Sequence, residues 1–400
     1  MPYTQQDDDI VLAAPVRTPI GKFGGALASL SAADLGTAAA KAALERAGLD
    51  PSNVDQVIFG HGRQAGGGPN TARQISYRAG VPVDRPAYTV NQACASGLQS
   101  VLSAARTILT GEARIVLAGG TESMSNTPYF LPRARWGYRM GNAEIVDGMY
   151  KDGFNDPLSE LAMGETAEEL AAEMGIDRAA SDAYALESQL RCERARRDGR
   201  FDAEIVPVTV PGKKGDVTLE RDEHPRDGTT IESLTKLPAV FRKGGAVTAG
   251  NASGITDGAA AIVVASRAAA RELGLPIVAR LVGWDVVGVE PRIMGIGPVP
   301  AVRRLLDKTG LDTGAIDEVE LNEAFACQVL ACNRELGFEA SRLNPDGGAI
   351  SLGHPIGASG TRILVTLLHG MQRRGGQRGI ATLCVSGGMG IAALVEREAA

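Results

Sequence analysis

The sequence predicts an α/β protein in which one fold occurs twice, with a long insertion between the two copies. The main observation is internal similarity: GLDPSNVDQVIFG from Gly48 resembles GLDTGAIDEVELNE from Gly310, which begins 262 positions later. In both copies, apolar strand-like runs alternate with amphipathic helical runs, as is typical of a parallel-rich sheet covered by helices. Fifty glycines and an aromatic content of only 4% indicate backbones that approach each other closely.

The elements of the two copies follow each other in the same order. A small-residue turn opens an amphipathic helix in CASGLQSVLSAARTI from Cys94 and again in IGASGTRILVTLLHGM from Ile356. Buried strands ending in a glycine pair follow in IVLAGGTESM and ATLCVSGGMG, and the entry strands DIVLAAPVRTP and VARLVGWDVVGVEP correspond roughly. Each copy is therefore predicted to contain strand, helix, strand, a strand-turn-helix unit and a final strand.

The stretch between the copies has no counterpart in the second half. It contains an irregular segment (128–139), a helical run (181–198) and the charged, hairpin-like VTVPGKKGDVTLERDEHPRDG. Long insertions of this kind usually form functional loops or lids. We therefore expect a first core half over residues 1–121, completed by 251–275, an inserted loop domain over 122–250, and a second core half over 276–400.

Composition excludes several classes of function. A formal net charge of −6 argues against nucleic-acid binding, which needs clustered positive charge. The N-terminus, MPYTQQDDDI, lacks a positive segment followed by an apolar run, and no stretch reaches transmembrane length, so we expect a soluble protein without membrane attachment. The five cysteines are far apart, odd in number and form no CxxC pair, which favours a reducing, cytoplasmic location.

Cys94 is the first candidate for chemistry. It lies where a β-rich run stops and a small-residue turn begins a helix, in YTVNQACASGLQSVL. The partial positive charge of a helix N-terminus lowers a thiol pKa and increases the thiolate fraction that a nucleophile needs. The alternative is a buried structural cysteine, since free cysteine behaves as a small hydrophobe.

His354 lies in GGAISLGHPIGASG, a Gly/Pro-rich turn expected between a short strand and a helix. Repeat symmetry places it near the position equivalent to Cys94. Pseudo-twofold packing would bring both turns to one cleft, as a nucleophile and its base require. A satisfied loop histidine is the alternative, and a metal site is not expected, because the four histidines show no HExxH or His-x-His spacing.

Three further residues are weaker candidates on local sequence. Cys384 ends the strand ATLCVSGG, whose glycines would let a substrate approach the backbone. Asn322 and Glu323, in VELNEAFACQ, stand at a strand-to-helix junction, and local sequence favours a helix N-cap region for both.

Taken together, five separated motifs resemble the ordered motif set of the thiolase family, and the resemblance spans nearly the whole chain from VRTPIGKFGG onward. The motifs are NQACASG, TAGNASGITDGAAA, NEAFA, GGAISLGHPIGASG and LCVSGGMG. The resemblance implies the thiolase fold: two pseudo-symmetric βαβαβαββ core domains in a five-layer αβαβα arrangement, plus an inserted loop domain that covers coenzyme A.

The resemblance also implies catalytic roles. Cys94 would be acylated and His354 would activate it, while Cys384 would exchange the α-proton of the attacking acetyl-CoA. Asn322 would hold a water that joins His354 in an oxyanion hole for the enolate. A second oxyanion hole would use backbone N–H groups near Cys94 and Ser386. The implied reaction is reversible Claisen condensation or thiolysis of acyl-CoA by a ping-pong mechanism, with no metal or redox cofactor and with coenzyme A only as substrate or product.

Binding residues carry over in the same way. Ser253 matches a pantetheine contact, Arg226 and Ser233 match contacts to the nucleotide end, and Met163 and Met294 match residues that line the acyl pocket, although ordinary packing is the alternative for both methionines. Three positions depart from the pattern. Ser386 replaces a common glycine, Ala162 stands where many biosynthetic members have histidine, and Ala95 stands where glycine often follows the nucleophile.

Two other functions compete with this one. A ketosynthase-like condensing enzyme usually pairs its cysteine with two histidines or with histidine and asparagine, and the NEAFA motif and second cysteine argue against it. An inactive acyl-CoA binding or lipid-transfer module would not need the four catalytic positions. The expected partners are acyl-CoA, CoA and further copies of the chain, as a homodimer or homotetramer. Chain-length preference, metabolic direction and the choice between dimer and tetramer stay open.

Overall fold

The computed structural model of the chain describes residues 6–213 and 215–398. Residues 1–5 lie outside the described residues. They belong to the N-terminal segment in which the sequence predicts no targeting signal. The strands are β1 (Ile10–Arg17), β2 (Gly21–Lys22), β3 (Gln56–Gly60), β4 (Ala87–Val90), β5 (Ile115–Ser123), β6 (Tyr129–Phe130), β7 (Val146–Asp147), β8 (Val208–Val210), β9 (Val217–Leu219), β10 (Thr256–Ser266), β11 (Ile277–Gly288), β12 (Glu318–Leu321), β13 (Arg378–Val385) and β14 (Met389–Arg397).

The helices alternate with these strands. They are α1 (Ala32–Ala47), α2 (Thr71–Arg78), α3 (Ser96–Leu109), α4 (Met163–Glu173), α5 (Arg178–Arg197), α6 (Ile231–Thr235), α7 (Arg267–Glu272), α8 (Pro298–Thr309), α9 (Ala326–Leu336), α10 (Ala349–Leu352) and α11 (Ile356–Arg374). Within the described part of the chain, no helix is both long and apolar enough to cross a membrane.

The strand pairing shows the repeat directly. The first half has the order β4-β3-β5-β10-β1, with β3 parallel to β4 and β5 and the remaining neighbours antiparallel. The second half has the order β12-β13-β14-β11 with the corresponding directions, and a single parallel bridge between Val319 and Leu343 takes the place of β4. The halves join where β1 pairs antiparallel with β11, Val11 opposite Arg280.

The two halves of the sheet and their helices form five layers. Helices α1 and α2 cover the outer face of the first half, and α8 and α9 cover the outer face of the second. Helices α3 and α11 lie between the two halves, in a core that takes alternate residues from both, such as Val116 and Leu383. Period-two alternation explains this, because successive side chains of a strand face opposite layers. The predicted fold class, αβαβα, is confirmed.

The repeated GLD motif has a structural reason. Gly48 ends α1 at φ 61° and Gly310 ends α8 at φ 66°, both in the left-handed conformation that glycine adopts without steric cost. The aspartate of each motif then caps a short 3-10 turn: Asp50 accepts the N–H of Ser52 and Asp312 that of Ala315. The motif is therefore a helix stop followed by a turn into the next strand.

Glycines in the two ASG turns allow the central helices to touch. A Cβ at Gly97 would lie 2.8 Å from the backbone N of Thr361, and a Cβ at Gly360 would overlap the backbone N of Leu98. Each helix therefore begins against the other, backbone to backbone, because these positions carry no side chain. This contact brings the turns before α3 and α11 together.

We expect Gly360→Ala to lower the free energy of unfolding by about 1–3 kcal/mol, the usual cost of overpacking a core. The added methyl meets backbone atoms rather than a movable side chain, so the helices must separate. The thermal unfolding midpoint measures the loss. Gly288→Ala is the matched control, since its Cβ has only the carbonyl oxygen of Gly388 nearby, at 3.9 Å. Equal midpoints for both variants would contradict the close contact.

The inserted segment carries α4, α5 and α6 and two short hairpins, β6–β7 and β8–β9. The helix α5 agrees with the predicted helical run, and β8–β9 with the predicted hairpin. The domain limits proposed from the sequence, at residues 121, 250 and 276, stay a prediction.

Candidate active site

One cleft brings together side chains from both halves and from the insertion. Its lining is largely apolar. The predicted site residues that line it are Cys94, Met163, Ser253, Met294, His354, Cys384 and Ser386. Residues that are remote in sequence therefore meet, as the duplicated turns require.

Cys94 lies in the 3-10 turn Ala93–Ala95, directly before α3. The preceding residue, Ala93, has φ 45°, an uncommon conformation for a residue with a side chain. The side-chain oxygen of Asn91 accepts the backbone N–H of Ala93 at 3.0 Å, which helps to hold the turn. Backbone strain of this kind is concentrated at functional sites. The turn leaves the thiol half-buried and facing the cleft.

The pKa of the Cys94 thiol is raised above its ordinary value. Burial is the main cause, because the thiolate loses solvation in a cleft lined by apolar side chains. The backbone N–H groups of Ser386 and Cys94 and the charge of Arg63 lower the pKa, but they do not outweigh burial. The expectation of a lowered thiol pKa is therefore wrong, and Cys94 needs a base to become a nucleophile.

His354 carries the free ring lone pair that such a base requires. Its Nδ1 lies 2.5 Å from the Ser359 hydroxyl, whose own proton is donated to the carbonyl of Pro355 at 3.0 Å. Ser359 therefore accepts the Nδ1 proton, which leaves a lone pair on Nε2. Nε2 is buried and has no partner among the described residues. Burial, with the charges of Arg362 and Arg63, lowers the pKa of His354 to about 3, so the ring is neutral.

The segment before His354 differs from the prediction. Residues Ala349–Leu352 form the short helix α10 and not a strand. A short apolar run does not distinguish the two by its pattern. His354 nevertheless stands two residues before α11, as Cys94 stands two residues before α3.

Asn322 and Glu323 do not cap a helix, so the N-cap interpretation is wrong. Helix α9 begins after Phe325 without a side-chain cap. Glu323 is buried and accepts hydrogen bonds from Tyr184, Ser188, Asn344 and the Ile350 N–H. The Asn322 amide is also buried, yet neither its oxygen nor its nitrogen has a partner among the described residues. Such an amide is usually satisfied by water or a ligand.

Cys384 and Ser386 lie at the end of β13. Cys384 is buried, and its pKa is raised well above the ordinary value by burial and by the neighbouring Cys94. The backbone N–H of Ser386 lowers the pKa of the Cys94 thiol. Ser386 is not among the described residues with positive φ, so replacing the common glycine leaves the backbone donor in place.

The sequence matches two family models. The model described as "Thiolase, N-terminal domain" covers residues 10–268, and the model described as "Thiolase, C-terminal domain" covers residues 275–397. This chain belongs to the thiolase family.

Relatives extend over the full length of this thiolase. The acetyl-CoA acetyltransferases of Cupriavidus necator and Pseudomonas aeruginosa are each 50% identical to it over 98% of this chain and 100% of their own length. The crystal structure of the Bacillus anthracis acetyl-CoA acetyltransferase matches with 44% identity and a TM-score of 0.96, covering 98% of this chain and 99% of that one. The human mitochondrial 3-ketoacyl-CoA thiolase matches with 44% identity, a TM-score of 0.95 and coverage of 98% and 100%.

These similarities confirm the predicted family and identify this thiolase as an acyltransferase. They do not test the roles of individual side chains, which stay predictions. Among residues 6–213 and 215–398, no group of three or more His, Cys, Asp or Glu side chains could hold a metal ion.

The predicted CoA contacts divide into two groups. Ser253, Met163 and Met294 line the cleft, and the Ser253 N–H donates to the carbonyl of Ala324 at 2.9 Å. Arg226 and Ser233 are exposed and do not line it. Ser233 occupies position N3 of the capping box at the start of α6, in which Thr230 is the N-cap residue. A nucleotide-end role for both stays a prediction.

Sequence reasoning missed several residues of the thiolase cleft. Arg63, Tyr150, Phe154 and Phe241 line it, and each lies outside the five motifs. The unmatched insertion was the available signal for the three aromatic residues, since long insertions commonly cover sites. No comparable sequence signal points to Arg63, because a single arginine in a Gly-rich loop usually faces solvent.

Glu122 is another missed residue, and it connects the turns around the thiolase cleft. It is buried and accepts the backbone N–H groups of Gly62, Arg63 and Gly357 and the Nε2 of His61. Burial raises its pKa, but the His61 contact and the Arg63 charge outweigh that effect, and the pKa of Glu122 is lowered. An ionised carboxylate therefore holds the loop after β3 against the start of α11.

Proposed function

We propose that this thiolase catalyses the reversible Claisen condensation and thiolysis of acyl-CoA through an S-acyl intermediate on Cys94. The observation that carries the proposal is the meeting of Cys94, His354 and Cys384 in one cleft. Acetyl-CoA is the proposed acyl donor, in agreement with the names of the bacterial relatives. Covalent transfer divides a difficult carbon–carbon step into two easier ones.

The first step acylates Cys94. His354 Nε2 takes the thiol proton while the sulfur attacks the thioester carbonyl, and CoA leaves after receiving a proton. The free Nε2 lone pair and the Nδ1 contact with Ser359 support this role. The developing oxyanion would be stabilised by the backbone N–H groups of Cys94 and Ser386, which already act on the sulfur.

The second step uses Cys384. In condensation its thiolate would remove the α-proton of acetyl-CoA, and in thiolysis its thiol would return a proton to that carbon. The raised pKa of Cys384 suits both directions, because a strong base is needed for a weakly acidic α-proton. The unpartnered Asn322 amide supports a bound water that, together with His354, would stabilise the enolate.

Binding and assembly complete the proposal. CoA is the proposed ligand, with Ser253 at the pantetheine arm, and a solved relative is the human mitochondrial 3-ketoacyl-CoA thiolase in complex with CoA. We also propose a homodimer or homotetramer, a cytoplasmic location and no resident cofactor. The five free cysteines support a reducing compartment. The ketosynthase-like alternative has less support, because Cys384 and not a second histidine lines the cleft.

The raised pKa of Cys94 predicts a pH profile for alkylation. Only the thiolate reacts with iodoacetamide, so the inactivation rate constant should rise about tenfold per pH unit from about pH 7 to about pH 9. Acetyl-CoA added first should protect the enzyme. The Cys192→Ala variant should show the same profile, because Cys192 is buried in a different cluster. A plateau below about pH 7.5 would mean that the thiol pKa is lowered.

Steady-state kinetics test the function itself. Thiolysis is measured with short, medium and long 3-oxoacyl-CoA substrates, and condensation of acetyl-CoA is measured alongside. Parallel double-reciprocal lines and radiolabelled acetyl groups on Cys94 are expected for ping-pong transfer. Intersecting lines without label on the protein would contradict the acyl-enzyme mechanism.

A further inference from the structure

Arg63 is a buried cation in the wall of the cleft. It follows β3, is 7% exposed and lines the cleft together with Cys94 and His354. Its charge lowers the pKa of both of those side chains. Its Nε is buried without a hydrogen-bond partner among the described residues.

The guanidinium is held in position by packing. It lies over the ring of Phe154, with its central carbon 5.9 Å from the ring centroid. It also lies against Gly153, where any Cβ would overlap its Nη2, Cζ and Nε atoms. Gly153 and Phe154 therefore fix the orientation of the guanidinium. Its N–H groups lie in one plane, in the forked geometry that can donate two parallel hydrogen bonds to one ligand group.

No carboxylate of the described residues forms an ion pair with this guanidinium. The charge of Arg63 lowers the pKa of Glu122, but the two oxygens of Glu122 already accept three backbone N–H groups and His61. A carboxylate offers about four acceptor positions, so Glu122 has none left for the Arg63 side chain. The terminal N–H groups of Arg63 are therefore available to donate hydrogen bonds to a ligand in the cleft.

We propose that Arg63 binds a carboxylate at the far end of the acyl chain, so that the preferred substrates are 3-oxoacyl-CoA thioesters with a terminal carboxylate. This inference rests on the proposed function, because it assumes that the acyl chain is attached to Cys94. A buried, unpaired guanidinium is unfavourable and gains most from an anion. The fork matches the two oxygens of a carboxylate, and an otherwise apolar cleft gives that contact strength.

A second role for Arg63 would be to stabilise the Cys94 thiolate directly. That effect would act on every substrate alike, since every acyl group passes through Cys94. The carboxylate role acts only on substrates that carry the anion. The ratio of specificity constants for a charged and a neutral substrate of equal length therefore distinguishes the two roles.

The test uses 3-oxoadipyl-CoA, which ends in a carboxylate, and 3-oxohexanoyl-CoA, which ends in a methyl group. We expect wild-type thiolase to favour the carboxylate substrate at least tenfold in kcat/KM, and Arg63→Met to lower the ratio about 30-fold or more. Arg63→Lys keeps the charge but not the fork and should fall between the two. Arg303→Leu, which removes an exposed arginine on α8, is the control and should leave the ratio unchanged.

A binding measurement complements the kinetics. Calorimetry with succinyl-CoA and butyryl-CoA should show tighter binding of the charged compound to the wild-type protein, and loss of that difference in Arg63→Met. Equal use of the two 3-oxoacyl substrates by wild type would overturn the inference, as would an equal loss on both in Arg63→Met. If wild type cleaves neither these substrates nor acetoacetyl-CoA, the proposed function fails and the inference fails with it.

Discussion

Replacing Cys94 with alanine is expected to abolish turnover, with a loss of kcat on the order of 10⁴-fold or more. Without the sulfur no acyl-enzyme can form, and the cleft holds no second thiol in an equivalent position: Cys384 ends a strand and is fully buried, while Cys94 stands at a half-buried turn. The measurements are thiolysis of acetoacetyl-CoA and acid-stable radiolabel from acetyl-CoA. CoA binding, measured by calorimetry, should change little, because a thiol is replaced by a hydrogen at one point of the wall.

The control for this prediction is Cys192→Ala. Cys192 is fully buried among Ile20, Phe201 and Leu352, away from the cleft, and burial raises its pKa to about 12. This variant should keep both turnover and label. Turnover of Cys94→Ala above about 1% of wild type, or label on another residue, would overturn the assignment of the nucleophile.

The Cys384→Ala variant is expected to separate the two halves of the reaction. Acylation of Cys94 should persist, because His354 and the Ser386 N–H are untouched. Carbon–carbon bond formation and cleavage should fall about 10³-fold or more, since no group remains to exchange the α-proton. Radiolabel trapping measures the first half, and condensation of acetyl-CoA measures the second.

The matched comparison is the Cys94→Ala variant, which should lose both halves together. Loss of label in Cys384→Ala would assign Cys384 to acylation, and full condensation activity would remove it from the mechanism. Either result would require a different proton acceptor in the cleft. His354 would then be the candidate, because its Nε2 is buried and unpartnered in the described structure.

The duplicated fold was predictable from the sequence because short, local residue patterns specify its helix ends, turns and strands. The GLD motif is a left-handed helix stop followed by a capped turn, and each of those conformations has its own residue preference. Nearly continuous apolar runs on β13 and β14 likewise specify burial on both faces. Local patterns failed where the run was short, as in the helix α10.

The candidate site was only partly predictable. The ASG turns indicated that Cys94 and His354 occupy equivalent places, and the contact between Gly97 and Gly360 explains why they meet. The direction of the Cys94 pKa shift was not predictable, because helix position favours the thiolate while burial opposes it, and burial depends on the residues across the cleft. Arg63 and Glu122 were missed for the same reason.

The family, the repeat and the order of motifs follow from the amino-acid sequence alone, because each is a property of neighbouring residues along the chain. Which charges remain unpaired depends instead on the folded arrangement. Glu122 is saturated by three backbone N–H groups and His61, so the Arg63 guanidinium faces the cleft without a partner among the described residues. Pairing of charges is set by distances between remote segments, which no local pattern encodes.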